Sequence, residues 1–207
     1  MSLASALAQG LHTMQCALDE DQQSALLRYL TLLEKWNKVY NLTAVRDPAQ
    51  MVPQHLLDAL SIRPYLAGRR ILDVGTGAGL PGIPLAIAEP ECEFVLLDSA
   101  LKRTRFVTQT VAELGLKNVE VVQARIEDYA PKALFDTITS RAFTATGDFV
   151  AATGHLLADK GCLLAMKGKL PEEEINHLPR QWSCEAHKLA VPGVVGERHV
   201  LVLKQNL

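Results

Sequence analysis

A glycine-rich turn is the first feature of the chain with clear chemical potential. It follows an apolar run and contains Asp73, Gly75, Gly77, Gly79 and Leu80. Glycine tolerates positive φ and leaves room for a ligand to approach the backbone. The helix expected beside Pro81 would also offer free N–H groups at its start. These residues therefore predict a cofactor-binding turn.

The carboxylate before the turn distinguishes between two classes of cofactor. A dinucleotide site uses G-x-G-x-x-G, with a pyrophosphate at the helix N-terminus, and Gly77, Gly79 and Gly82 have this spacing. However, the frame from Gly75, the first glycine after the strand, is G-x-G-x-G. Asp73 would repel a pyrophosphate but could accept a hydrogen bond from an ammonium group. S-adenosylmethionine carries an ammonium and a sulfonium and no phosphate, so the turn favours this cofactor over a nicotinamide dinucleotide.

A second acidic residue supports the same interpretation. Asp98 ends the apolar run 93–98, which reads as the second strand. An acid at this place in a doubly wound fold accepts hydrogen bonds from ribose hydroxyls. Strand, glycine turn, helix, second strand and terminal acid in this order favour a cofactor site over a purely structural loop.

The elements that must position these residues fall into two parts. Residues 1–62 predict a helical extension packed on the main domain. Asp19 with Gln22 has the pattern of a capping box, apolar residues then recur at helical spacing as far as Tyr40, and Pro48 suits the first turn of a further helix.

Residues 63–207 predict the cofactor-binding domain. Seven strand-like runs alternate with helical stretches, except that only seven residues, 192–198, join the last two runs. Alternation implies a mostly parallel sheet with helices on both faces, whereas so short a link requires an antiparallel pair. We therefore predict an α/β fold with a doubly wound, mostly parallel seven-stranded sheet of Rossmann-like type.

Composition restricts the functional classes. The chain has 207 residues and a formal net charge of −2, so any RNA contact must come from a local basic patch. No apolar run is long enough to span a membrane. The four cysteines are far apart and form no C-x-x-C pair, which predicts no metal site and reduced thiols in the cytoplasm. They are Cys16, Cys92, Cys162 and Cys184.

The exit of the fourth strand narrows the chemistry. Residues 140–143 are Ser-Arg-Ala-Phe. Enzymes that methylate exocyclic amines have an Asn/Asp-Pro-Pro-aromatic loop at this place instead. No cysteine lies there to activate a pyrimidine ring. Guanine N7 has an in-plane lone pair and no proton, so it needs alignment with the methyl donor but no general base. The site therefore permits N7 methylation, and we assign no catalytic residue.

Several segments resemble one bacterial family, the small-subunit (16S) ribosomal RNA guanine-N7 methyltransferases, also called glucose-inhibited division protein B. The resemblance covers the chain from about Trp36 to its end. It lies in WNKVYNLTAVRDP, HLLDAL, ILDVGTGAGLPGIPLAI, LLDSALKRTRF, FDTITSRAF, MKG and GERHV. It implies an S-adenosylmethionine-dependent enzyme that acts on ribosomal RNA, within a ribosomal particle and as a monomer.

The resemblance also implies where the cofactor binds. Its motifs place the site on Gly75, Leu80, Ile126, Glu127 and Arg141. Asp73, Gly77, Gly79 and Asp98 join this set from the arguments above. An apolar residue such as Ile126 would pack on adenine while the neighbouring chain hydrogen-bonds the edge of the base.

Basic residues near strand ends are candidates for RNA contacts, with a solvated charged surface as the alternative. They are Lys102, Arg103 and Arg105 after the second strand, Lys167 and Lys169 after the fifth, and Arg198 with His199 before the last. Phe143 is either a core residue or a platform for a flipped base. His55 and Asp58 lie three residues apart on one helix, where they either pack structurally or form a hydrogen-bonded pair near the cofactor.

Other functions remain open at this point. The same cofactor could serve methylation of a small molecule or a protein. A non-catalytic binding protein is disfavoured because it would not need the full set of glycines and acids. A nicotinamide dehydrogenase is disfavoured by the frame of the glycines.

Overall fold

The computed structural model describes residues 2–141, 143 and 145–206. Its centre is one seven-stranded sheet. The strands are β1 (Arg70–Val74), β2 (Glu93–Asp98), β3 (Val119–Gln123), β4 (Phe135–Ser140), β5 (Leu157–Lys167), β6 (Trp182–Lys188) and β7 (His199–Gln205). Their order across the sheet is β3-β2-β1-β4-β5-β7-β6.

Helices precede and connect the strands. They are α1 (Leu3–Thr13), α2 (Glu20–Tyr40), α3 (Pro48–Met51), α4 (Asp58–Leu60), α5 (Gly82–Ala88), α6 (Leu101–Leu114), α7 (Thr146–Thr153) and α8 (Glu172–Asn176). A π-helical segment, Val52–Leu57, joins α3 to α4 without a break. Short 3-10 turns lie at Arg63–Tyr65, Ile126–Asp128 and Gly154–Leu156.

The carboxyl ends of the parallel strands lie together at one edge of the sheet. Strands β1 to β5 pair in parallel, so their carboxyl ends lie together. Strand β7 pairs antiparallel with both β5 and β6, and His199 lies opposite Lys167 on one side and Lys188 on the other. The first residue of β7 therefore lies at the same edge as the last residues of the parallel strands. We call this the carboxyl edge.

The helices before β1 share a core with one face of the sheet. Buried apolar side chains of α1 and α2 pack in one cluster with α5, α6 and the sheet, whereas α7 covers the opposite face. Helix α2 starts with the predicted capping box, in which Asp19 and Gln22 exchange side-chain-to-backbone hydrogen bonds. It ends at Asn41, whose backbone is left-handed. The boundary predicted between residues 62 and 63 stays a prediction.

A buried hydrogen bond ties α2 to the glycine-rich turn. The hydroxyl of Tyr29, which is fully buried, donates to the backbone oxygen of Ala78 over 2.8 Å. Burial raises the pKa of this phenol, so it stays protonated and keeps donating. The N-terminal helices therefore help to fix the conformation of the turn.

Tyr29→Phe is expected to lower the free energy of unfolding by about 1 to 2 kcal/mol, because the carbonyl of Ala78 would be buried without its donor. Urea denaturation followed by circular dichroism would measure the loss. The matched control is Tyr40→Phe at the end of the same helix, where the side chain is exposed. Equal losses in the two variants would contradict a structural role for the Tyr29 hydroxyl.

The fold class predicted from the sequence is confirmed, including the antiparallel final pair. Several boundaries differ from the sequence pattern. The pattern predicts the start of the fifth strand at Cys162, but β5 begins at Leu157. It predicts a helix as far as residue 158, but α7 ends at Thr153 because the following residues form a 3-10 turn. It predicts the sixth strand over 185–191, but β6 spans Trp182–Lys188, so that residues 189–198 join the last two strands. Within the described residues, no helix is long and apolar enough to cross a membrane.

Candidate cofactor and RNA site

The glycine-rich turn leaves β1 at the carboxyl edge and crosses to the neighbouring strand. Gly75, Gly77 and Gly79 have φ values of 67°, 60° and 84°, which explains why glycine occupies all three positions. The backbone N–H groups of Gly75 and Thr76 both donate to the oxygen of Leu97, over 2.8 and 3.0 Å. The turn is thereby fixed to the end of β2.

Asp73 lies behind this turn and is fully buried. Its Oδ2 accepts from the hydroxyl of Thr76 over 2.6 Å and from the N–H of Gly82 over 2.9 Å. Burial raises the pKa of this carboxyl to about 6. The described contacts make Asp73 a brace between the turn and α5. Its Oδ1 is buried without a partner in the described chain, and its predicted contact with a cofactor ammonium stays a prediction.

Asp98 ends β2 at the carboxyl edge, and its predicted contact with a ribose stays a prediction. Its side chain is 2% exposed, and its two oxygens accept from the N–H groups of Gly77 and Ala100, each over 2.9 Å. Nη1 of Arg103 lies 3.4 Å from Oδ2. Each carboxylate oxygen has two lone pairs, so Asp98 retains acceptor capacity for a ligand. The Arg103 side chain contacts this carboxylate, although the sequence suggested it for RNA.

A cavity of about 250 Å³ lies at the carboxyl edge beside Asp98. Its lining comprises Val74, Gly75, Leu97, Asp98, Ser99, Arg103, Ala124, Arg125, Ile126, Glu127 and Phe143. Several predicted cofactor residues, far apart in sequence, thus surround one cavity. The buried side chain of Ile126 supplies an apolar wall, and Glu127 is exposed.

The cavity and the glycine-rich turn beside it fit S-adenosylmethionine in three respects. The carboxylate of Asp98 suits ribose hydroxyls, and the apolar wall at Ile126 suits adenine. A Cβ atom built at Gly77 would have only the oxygen of Gly75 nearby, at 3.9 Å, so a ligand can approach the bare backbone there. Five predicted cofactor residues do not line this cavity, namely Asp73, Gly77, Gly79, Leu80 and Arg141. The side chain of Leu80 packs in the core.

The candidate RNA residues differ in their surroundings. Lys102 and Arg105 on α6 are exposed, as is Lys169 after β5. Lys167 is largely buried, and its Nζ lies 2.9 Å from the Glu174 carboxylate, which pairs with it. His199 is buried, and its Nδ1 is 2.8 Å from the oxygen of Gly168. This placement of His199 suits a structural role better than the predicted RNA contact.

An ionic cluster that the sequence did not predict lies at the same edge. Asp58, at the start of α4, places Oδ1 at 3.0 Å from Nε of Arg198 and Oδ2 at 3.4 Å from Nη1 of Arg141. Asp58 is 3% exposed, and burial raises its pKa while the two guanidinium groups oppose that shift. The cluster joins the N-terminal helices to the exit of β4 and the start of β7.

His55 does not pair with Asp58. Its Nε2 lies 3.0 Å from the hydroxyl of Thr43, and its Nδ1 is buried without a partner among the described residues. Burial lowers the pKa of His55 to about 4, so the ring is neutral at physiological pH.

Phe143 combines the two alternatives that the sequence left open. It is half-buried, its ring centroid is 5.2 Å from that of Phe149 in the core, and it also lines the cavity. Ala142 and Thr144, on either side, lie outside the described residues.

Comparison with solved structures defines the class of fold. The chain superposes on an O-methyltransferase of tomaymycin synthesis from Streptomyces achromogenes, solved with S-adenosylmethionine, with a TM-score of 0.61, 16% identity and all of both chains covered. An N-methyltransferase from Bradyrhizobium japonicum gives a TM-score of 0.54 at 16% identity, over 73% of this chain and 93% of that one. The fold is therefore that of the class I S-adenosylmethionine-dependent methyltransferases.

Sequence comparison then identifies the family. The family described as rRNA small subunit methyltransferase G matches residues 22–202. Proteins named ribosomal RNA small subunit methyltransferase G are 54% identical in Nitrosococcus oceani, over 96% of this chain and 93% of theirs, and 54% identical in Pseudomonas aeruginosa, over 98% and 96%. The chain belongs to the ribosomal RNA small subunit methyltransferase G family.

The described residues contain no group of three or more His, Cys, Asp or Glu side chains placed to hold a metal ion.

Proposed function

We propose that this protein transfers the methyl group of S-adenosylmethionine to N7 of a guanine in small-subunit (16S) ribosomal RNA. One observation carries the proposal: the cavity at the carboxyl edge, with Asp98 and Ile126 in its wall, lies in a chain whose family is named for methylation of small-subunit ribosomal RNA.

The side chains around the cavity suit a donor of this kind. When bound, S-adenosylmethionine supplies a methyl group on a positively charged sulfur. Asp98 would hold the ribose, Ile126 would pack on the adenine, and the turn at Gly77 would let the amino-acid end approach the backbone. Arg141 contacts Asp58, and its charge acts on Asp73 behind the turn, so it would contribute positive charge toward the carboxylate of the donor.

The side chains of the cavity wall favour guanine N7 as the methyl acceptor. The cavity wall contains no cysteine or histidine among the described residues. One of its two carboxylates, Asp98, is engaged by backbone N–H groups. The other, Glu127, is exposed to solvent, where a carboxylate is a weak base. An acceptor that must lose a proton before attack would need a stronger base, whereas N7 attacks with an existing lone pair. Holding N7 in line with the methyl group of the donor can by itself supply a large part of the rate acceleration.

The exposed cations at the carboxyl edge are the proposed contacts for RNA phosphates. Lys102 and Arg105 lie on the first turns of α6, beside the cavity. Arg198, before β7, is partly buried and pairs with Asp58, and its remaining surface is a further proposed contact. Phe143, at the mouth, is placed to stack on a guanine lifted out of its helix. With a net charge of −2, the chain is suited to a folded ribosomal particle in the cytoplasm, where shape contributes to recognition. We propose that it acts there as a monomer.

A methyl-transfer assay tests the proposal. The protein is incubated with labelled S-adenosylmethionine and small ribosomal subunits from a strain that lacks the gene, and nuclease digestion with mass spectrometry locates the label. We expect one labelled guanine, methylated at N7. Protein-free 16S RNA and subunits from the parent strain serve as the comparison substrates.

Each alternative has its own outcome in this assay. Tight binding of S-adenosylmethionine without transfer to RNA would reject the RNA substrate and leave a small molecule or a protein as the acceptor. Label on another atom of the guanine would reject the N7 assignment. A clear preference for protein-free RNA would reject the particle as the substrate.

A further inference from the structure

Three large apolar side chains are exposed at the ends of two helices. Val39 and Tyr40 end α2 and are 71% and 43% exposed, and Leu101 starts α6 and is 47% exposed. Single exposed apolar side chains are common on soluble proteins, whereas a group of them more often marks a binding surface. The packing of α2 on α6 decides which case applies here.

Helices α2 and α6 pack side by side in opposite directions. Nη2 of Arg28, in the first half of α2, donates to the oxygen of Glu113 near the end of α6 over 2.6 Å. Further along α2, the ring centroid of Trp36 lies 5.6 Å from that of Phe106, early in α6. The last turn of α2 therefore lies beside the first turn of α6, which follows β2 at the carboxyl edge.

Helical spacing places exposed residues along the line where these two helix ends meet. Tyr40 follows Trp36 by one turn, and the two rings are stacked with centroids 5.1 Å apart. Lys102 precedes Phe106 by one turn, on the same face of α6. We call the resulting surface the α2–α6 patch. Its members, all exposed, are Lys35, Val39, Tyr40, Leu101, Lys102 and Arg105.

The α2–α6 patch is positively charged, although the whole chain has a net charge of −2. Its three charged members are all cations, and Lys35 and Arg105 each lie one turn from an apolar member on the same helix. Within the part of the chain that the structure describes, Lys35, Lys102 and Arg105 form no ion pair, whereas the nearby Glu34 pairs with Lys38 over 3.1 Å. An anionic partner is therefore favoured.

Tyr40 indicates which kind of anion fits. One face of its ring lies against Trp36, and no further ring among the described residues covers it. An unpaired base can stack on such a ring, and cations beside an exposed aromatic side chain are typical of surfaces that bind unpaired RNA. The α2–α6 patch also adjoins Arg103, which lines the cavity. RNA that brings a guanine to the cavity therefore passes close to the patch.

We propose that the α2–α6 patch binds a stretch of unpaired small-subunit RNA beside the target guanine, with Tyr40 stacked on one base and the three cations on phosphates. The proposal rests on the proposed function, because it extends the acceptor site of that reaction onto the N-terminal helices. Those helices then have a task in substrate binding as well as in fixing the glycine-rich turn.

Tyr40→Ala tests the stacking. Filter binding measures the dissociation constant for small subunits from the strain that lacks the gene. We expect this constant to rise about tenfold, as for the loss of one stacked base. Tyr40→Phe keeps the ring and should bind like the unmodified protein. The matched control is Leu134→Ala, because Leu134 is 48% exposed but precedes β4 at the opposite edge of the sheet. Affinity for S-adenosylmethionine should stay the same in all three variants.

Salt dependence separates a phosphate contact from a loosened helix end. In Lys35→Gln, the slope of the logarithm of the dissociation constant against log salt concentration should fall by about 0.7, as for one phosphate of a single strand. Lys117→Gln is the control, since Lys117 is an exposed lysine just after the other end of α6. Its slope should equal that of the unmodified protein. This pair of variants decides the question even if Tyr40→Ala fails to fold.

Photocrosslinking identifies the partner directly. p-Benzoylphenylalanine is incorporated in place of Tyr40, and the complex with small subunits is irradiated. We expect a crosslink to 16S RNA, which reverse transcription should map close to the methylated guanine. A crosslink confined to a ribosomal protein would overturn the proposal and assign the α2–α6 patch to that protein.

Two binding results would also overturn the proposal. They are an unchanged dissociation constant in Tyr40→Ala and an unchanged salt slope in Lys35→Gln. Failure of the proposed function is distinguishable from all of these outcomes, because binding and crosslinking require no methyl transfer. The unmodified protein would in that case leave the small-subunit RNA unmethylated, while the binding results would still decide for or against the α2–α6 patch.

Discussion

Asp98→Ala should weaken S-adenosylmethionine binding by about 100-fold. The carboxylate is the acceptor in the cavity wall that suits a ribose hydroxyl, and one hydrogen bond to a charged acceptor contributes up to about 3 kcal/mol. The substitution also removes the acceptors of the Gly77 and Ala100 N–H groups. A modest fall in melting temperature is therefore expected with the fold intact.

Isothermal titration calorimetry measures the affinity, and circular dichroism checks the fold. The matched control is Glu93→Ala, which removes a carboxylate from the opposite end of the same strand, where Glu93 pairs with Arg70 at 3.0 Å. The control should bind S-adenosylmethionine normally. An unchanged affinity in Asp98→Ala would remove this residue from the site.

Gly82→Ala should lower the free energy of unfolding by about 2 to 3 kcal/mol, as expected for overpacking a rigid core. Helix propensity alone predicts the reverse, since alanine is better than glycine within a helix by about 1 kcal/mol. However, a Cβ atom at residue 82 would lie 2.1 Å from Cδ2 of Leu96 and 2.8 Å from Oδ2 of Asp73. Both side chains are fully buried, so neither can move away easily.

Gly147→Ala provides the control, because it also lies in the first turn of a helix but would place its Cβ in open space. Denaturant unfolding of both variants should show destabilisation only for Gly82→Ala. If Gly82→Ala unfolds at the same denaturant concentration as the unmodified protein, α5 packs less closely on β2 than the structure indicates. Loss of S-adenosylmethionine binding should accompany the destabilisation, because Asp73 would be displaced from Thr76.

The fold could be predicted largely from the sequence because its signals are local. The capping box at Asp19, the periodicity of α2 and the alternation of strands each span few residues, and the structure reproduces them. The start of strand β5 was harder to predict, since its first residues include charged side chains and a glycine and lack an apolar pattern.

The candidate site was predictable in part for the same reason. The glycine turn and Asp98 belong to a pattern whose spacing follows from one strand-turn-helix unit. The orientation of Asp73 depends on Gly82 and Thr76, which lie within that unit but on the far side of the turn. Residue types alone do not show to which side of the turn the carboxylate of Asp73 points.

The Asp58 cluster depends on long-range packing. Asp58 and Arg198 are 140 residues apart, and their contact requires β7 to run antiparallel and return the chain to the carboxyl edge. No local sequence pattern predicts that Arg198 is the partner of Asp58. A pairing between His55 and Asp58, one of the two alternatives for these residues, relied on helical spacing alone, and the helix at that point is not a regular α-helix.

The π-helical segment Val52–Leu57 has a consequence for how this part of the chain can change. A π-type turn closes on the fifth residue instead of the fourth, so it accommodates one residue more than an α-type turn. Deletion of a single residue there would restore an α-type turn and leave Asp58 on the same side of the helix, close to both arginines. A deletion within the regular helix α2 would instead rotate the residues beyond it by about 100°. A one-residue deletion in the π-helical segment should therefore be tolerated better than one in α2.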